Sequence, residues 1–157
     1  MHEMPKPNQE HQKLQRFAGK WIGEETIEAS QWGPGGHATG ELEMETILDG
    51  FNVAGDYVEG KEGKVVYRGH SVFGVDPASG EVVWYWFDSM GTPLAGPARG
   101  KWDGDTLVLR NKQPQGEGRY THRFEGKNRY FFRLENSFDG GKTWVKLMEG
   151  RYERTER

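Results

Sequence analysis

The chain contains no cysteine, which excludes disulfides, thiolate metal sites and a cysteine nucleophile. It also lacks a dominant charge: 21 Lys and Arg stand against 24 Asp and Glu, and both signs are interspersed to a formal net charge of −3. Such a surface favours solubility and argues against nucleic acid as a partner, because neutralising phosphates needs a clustered basic face. The longest fully apolar run, Val82 to Phe87, falls far short of the roughly 20 residues that cross a bilayer. No membrane insertion is expected. The opening MHEMPKPNQEHQKLQ has no apolar stretch of the kind a secretory signal needs, which points to a cytoplasmic chain. Gly-rich phosphate loops, a nucleophile elbow, a paired-histidine zinc motif and a calcium loop are all missing. The expectation is no metal and no cofactor.

What is present is aromatic and glycine-rich. Only 34% of the 157 residues are hydrophobic, but 13% are aromatic and six are Trp, so a few large rings can wall a wide interior. The 23 glycines gather in short polar clusters between β-branched and aromatic runs, which is the punctuation of hairpins. Asp49-Gly50, EGKEGK over 59–64, DPASG over 76–80, Asp103-Gly104, EGKN over 125–128 and DGGK over 139–142 read as turns. Ten strands lie between them, at 19–28, 37–48, 51–59, 64–76, 80–88, 95–102, 105–110, 117–124, 128–138 and 143–154. The only helix expected is short, from Asn8 as its cap to Phe17, plugging one end. So many strands leave long open edges unless the sheet closes. The fold class predicted is all-β: an up-and-down antiparallel β-barrel of about ten strands with a short N-terminal helix. It occupies residues 1–157 as one domain, with 1–7 flexible.

Period-two alternation assigns the inner face. Leu42 and Met44 point inward against Glu41, Glu43 and Glu45. Phe51, Val53 and Tyr57 mark the third strand, and Leu107 and Leu109 the seventh. Tyr130, Phe132 and Leu134 mark the ninth, with Arg133 and Glu135 turned to water. On the fourth strand Tyr67, Ser71, Phe73 and Val75 face in, leaving Arg68 and His70 outside. The fifth strand is apolar on both sides, Val82, Trp84 and Trp86 against Val83, Tyr85 and Phe87. Its outer face therefore needs the helix, a loop or a second subunit as cover, and a homodimer is one expectation.

Among ionisable residues, His2, His11 and His37 are expected in solvent. His122 lies between Tyr120 and Phe124 on the apolar face; it reads first as a hydrogen-bonded core histidine, and alternatively as a group pointing into the barrel toward a ligand. Glu25 shares a face with Trp21 and Ile27, so it is buried and needs Tyr, Arg or His partners, or else its pKa rises. Asp88 ends the most apolar strand at a Gly/Pro-rich loop running to Gly100, a reasonable portal. The competing reading is that Asp88 and Thr92 merely cap the turn. The string Ser137 to Trp144 matches the Asp-box, S-x-D-x-G-x-T-W, which as a single copy specifies a hairpin and says nothing about glycosidase activity.

Two segments, FAGKWIGE and GHSVFGVDPASGEVVWYWFDSMGT, with the spacing between them, resemble a bacterial family of unknown function whose barrel is similar to the calycin group of lipocalins and fatty-acid-binding proteins. The likeness covers residues 14–106. It implies a barrel with an internal ligand cavity and brings no catalytic residues. More distantly the chain is similar to nitrobindin-type haem barrels, which share the glycine-flanked tryptophan and bind iron through a late histidine. Here the last histidine is His122 and the two closing strands hold none.

Three functions follow as expectations. The first is binding of a small apolar or aromatic ligand by Tyr57, Trp84, Trp86 and Phe132, with Asp88, His122 and Glu25 as polar groups. The second is an enzyme using Glu25, His122 and Asp88, the first two as an acid–base pair if they meet. The third is a solid barrel that serves as a structural or dimerisation module.

Overall fold

A computed structural model describes residues 3–31, 33–91 and 96–155. The polar opening forms helix α1, Gln9–Leu14, extended by a 3-10 turn over Gln15–Phe17. The Asn8 side chain accepts from the backbone N–H of Glu10 and His11, while the Asn8 N–H donates to His11 Nδ1 at 3.0 Å. That reciprocal cap corrects the expectation for His11. Its imidazole is drawn back over the helix start and buried edge-on against Phe51, with ring centroids 5.1 Å apart. His37 is exposed as expected, and His2 lies outside the described residues.

The strand segments are β1 Gly19–Ile27, β2 Gly36–Ile47, β3 Asn52–Lys61, β4 Lys64–Val75, β5 Val82–Asp88, β6 Ala98–Gly100, β7 Trp102–Asp103, β8 Thr106–Gln113, β9 Gly116–Phe124, β10 Arg129–Ser137 and β11 Val145–Arg154. β6 and β7 are two pieces of one crossing broken at Lys101, so the barrel has ten strands. All pairings are antiparallel; β1 lies between β2 and β11, and closure comes where Arg99 of β6 meets Arg110 of β8. Asp49 and Gly50 take positive φ, 58° and 96°, as their turn requires.

Several strand boundaries differ from the sequence reading. β3 continues past Glu59 to Lys61, because the turn is made by Glu62 and Gly63 alone, both at positive φ. β8 continues to Gln113 rather than stopping at 110. The sixth strand is shorter than 95–102: β6 starts at Ala98, and residue 95 is outside the described residues.

One end of the barrel is sealed. Leu14 and Phe17 are buried in the core, and Trp21 Nε1 donates to the Phe17 carbonyl at 2.9 Å. Arg154 lies over the Trp21 ring, 4.2 Å from its centroid, and donates to the carbonyls of Ala18, Arg16 and Lys127. The glycine-flanked tryptophan is thus the latch that holds the helical plug to the end of the last strand. On the outer wall His70 bonds Asp56 at 2.7 Å. Tyr85 and Phe87 are exposed at 42% and 57%, so the outer face of β5 stays uncovered in the single chain, while Val83 is buried. Glu135 is also an outer-wall residue, but not a solvated one. Arg119 grips both its oxygens at 3.0 Å and stacks on Trp144 at 4.1 Å, which buries the carboxylate under a charged lid.

Candidate functional site

The inner faces enclose a cavity of about 400 Å³. A solid barrel is therefore ruled out as a description of the interior. Six of the seven residues expected at the site, Tyr57, Trp84, Trp86, Asp88, His122 and Phe132, line this one space. Glu25 does not; it stands directly behind Tyr57 and Tyr152, which do. The plugged end is walled by Phe17, Phe73 and Tyr130. Toward the other end, where β3, β5, β8 and β10 finish, the wall becomes polar with Glu59, Asp88, Gln113 and Asn136.

Glu25 is only 1% exposed. Its carboxyl accepts from the Tyr57 hydroxyl, and from Tyr152, which reaches it from the last strand. The same Tyr57 oxygen is 2.8 Å from Glu59. Burial, reinforced by the nearby Glu59 carboxylate, pushes the Glu25 pKa up to about 8 despite both phenols. Gly40 makes room for it on the neighbouring strand: a Cβ there would stand 2.3 Å from a Glu25 oxygen. Burial also raises the Tyr57 and Tyr152 hydroxyls above the ordinary phenol range, so both remain donors.

Asp88 both caps the turn and binds the wall. Its Oδ1 accepts from the Met90 N–H at 3.0 Å, and its Oδ2 accepts from Tyr67 at 2.6 Å and Trp86 Nε1 at 3.0 Å. Thr92 lies outside the described residues. Trp86 rests flat over Gly69, where a Cβ would come within 2.1 Å of its ring. The three rings Tyr57, Tyr67 and Trp86 touch one another with centroids 5.9 to 6.3 Å apart.

His122 is surrounded by Phe17, Phe73, Tyr130 and Phe132, and neither ring nitrogen has a hydrogen-bond partner. Its burial lowers the pKa to about 3, which keeps the ring neutral. Trp84 Nε1 is likewise buried and unpartnered. No hydrogen bond joins His122 to Glu25 or to Asp88 among the described residues, so the acid–base pair considered from sequence does not form.

Three wall residues escaped the sequence reading. Glu59 was read at the junction of strand 51–59 and the turn 59–64 and given no role, Tyr152 was not separated from the other alternating residues of its strand, and Tyr67 was placed inward but given no role. The signal for Glu59 was its phase, two residues beyond Tyr57 on the same face.

The family described as a protein of unknown function, DUF1579, matches residues 6–154. The chain belongs to the DUF1579 family. No curated protein matches it in sequence. Among solved structures, the DUF1579 barrel is similar to Rv2717c from M. tuberculosis, 13% identical, covering 95% of this chain and 99% of that one at a TM-score of 0.70. It is also similar to the S-type phycobiliprotein lyase CPES from Guillardia theta, 10% identical over 96% of this chain and 99% of that one, at 0.67. A variant of the fluorescent protein UnaG is 15% identical over 92% and 99% of the two chains, at 0.58. At these identities the likeness is one of fold.

Haem, implied by the more distant resemblance, does not fit the residues of this DUF1579 chain. β10 and β11 carry no histidine. Both nitrogens of His122 are enclosed by packed side chains, leaving no open axial position. No described group of three or more His, Asp or Glu side chains is arranged to hold a metal ion.

Proposed function

We propose that this barrel binds a small, largely apolar or aromatic molecule in its interior, end-on, with a polar group at the mouth. The observation that carries this reading is the cavity itself. A space of about 400 Å³ walled by Trp84, Trp86, Phe132, Tyr120 and Tyr130 forgoes the dispersion contacts that a packed core would make, and it lies in the range of small-molecule sites. The polar wall groups are few and grouped toward one end, which would fix orientation. Because one barrel fold carries unrelated functions, the fold neighbours do not choose the ligand.

Trp84 and Trp86 belong to the wall, so their emission reports occupancy. Titration with hydrophobic probes is expected to quench tryptophan fluorescence saturably. Trp84→Ala should weaken binding and lower stability by about 3–5 kcal/mol, the usual cost of a buried large aromatic. Quenching that rises linearly with every probe would count against an internal site.

A further inference from the structure

Resting on the reading of the cavity as a ligand site, we propose that the ligand is an amphiphile with a cationic amine or quaternary ammonium head. The head is held at the mouth between Glu59 and Asp88, and the apolar tail runs in toward Trp84 and Phe132.

Three observations carry this. First, the charged residues lining the cavity are all acidic: Glu59 and Asp88 belong to it, and no described Lys or Arg does. His122, at the far end, is neutral.

Second, the phenol and indole donors at the mouth are already committed. Tyr57 and Tyr152 donate toward Glu25, with Glu59 also within reach of Tyr57, and Tyr67 and Trp86 turn their O–H and N–H to Asp88. An anionic head would meet two carboxylates with only the neutral amides of Gln113 and Asn136 to offset them, whereas a cation would meet acceptors with lone pairs left over. Third, the rings between the carboxylates, Tyr57, Tyr67 and Trp86, form a continuous aromatic patch. Aromatic rings attract an ammonium, most strongly where water is partly excluded. The carboxylates therefore border a ring-walled cavity. Glu59 is itself only 9% exposed, and the same cavity carries the buried, unpartnered His122, so the pair is not an ordinary solvated acidic cluster.

The test is a matched series: decyltrimethylammonium, decanol and decanoate, each below its micellar concentration, titrated against the intact protein by calorimetry and tryptophan quenching. The ammonium is expected to bind at least about tenfold tighter than the carboxylate, with the alcohol between. Asp88→Asn and Glu59→Gln should each shrink that ratio severalfold, with decanol binding that persists in the variant, whatever its strength, showing that the cavity is still present. If decanol or decanoate binds as well as the ammonium, or if both variants keep the ratio, the cationic head is wrong and the ligand cavity stands. If none of the three binds to the folded protein, both readings fall.

Discussion

The Tyr57 hydroxyl lies 2.8 and 2.6 Å from the two oxygens of Glu25, and 2.8 Å from an oxygen of Glu59 as well. A phenol has one hydrogen to give. Two carboxylates crowded on one phenol are accommodated when one of them keeps its proton, and the more buried Glu25 is that acid. Geometry and the raised pKa of about 8 thus agree.

The pH dependence of stability follows from two groups with opposite signs. Glu25 ionises near 4.5 in the unfolded chain but near 8 when folded. Between those values the unfolded state holds fewer protons, so stability falls as pH rises. His122 is protonated below about 6.5 when unfolded and only below about 3 when folded, so its contribution falls as pH drops through that window. Each slope is at most about 1.4 kcal/mol per pH unit, and they oppose each other from 4.5 to 6.5. Thermal melts are expected to show a plateau there, with declines on both sides. Glu25→Gln should remove the alkaline decline and leave the acid one. An alkaline decline unchanged in Glu25→Gln would assign it to another group.

Replacing His122 with Phe should do the reverse. An apolar ring of similar shape removes two unpartnered polar atoms from a site walled by Phe17, Phe73 and Phe132. Stability at neutral pH is expected to stay level or rise by about 1–3 kcal/mol, and the acid decline should weaken. A loss of stability in His122→Phe, measured by urea denaturation, would mean that the imidazole has a partner after all.

Gly69→Ala tests the wall by adding a single methyl beneath Trp86. The added methyl would stand 2.1 Å from the Trp86 ring, so the indole must move off β4. A cost of about 1–3 kcal/mol is expected for such overpacking, together with a blue- or red-shifted tryptophan emission and weaker probe binding. Unchanged emission and unchanged probe affinity would show that Trp86 does not shape the cavity.

Much of the architecture was legible because hairpin turns and period-two alternation are local signals. Asp49-Gly50 and the Asp-box announced themselves: Asp139 gathers the N–H groups of Lys142 and Thr143 and the Thr143 hydroxyl, which holds its carboxylate down at about pKa 2. Alternation likewise placed Trp84, Trp86, Tyr57 and Phe132 on the inner face. Residues that depend on pairing across the barrel were not legible. Tyr152 reaches Glu25 across 127 positions of sequence, and nothing local marks it. Glu59 was hidden because a glycine-rich string looked like a longer turn than the two residues that make it. Glu135 and Arg133 read as solvated, and only the register of β9 against β10 shows why Arg119 covers the former.

The central claim, an interior that takes up a small molecule, is tested most directly by native mass spectrometry. The protein is sprayed first as purified and then after incubation with neutral, anionic and cationic apolar probes. The predicted result is a one-to-one complex, either retained from expression or formed with the cationic probe, that Gly69→Ala and Trp84→Ala deplete. The unliganded mass alone under every condition, from protein shown to be folded, would contradict it.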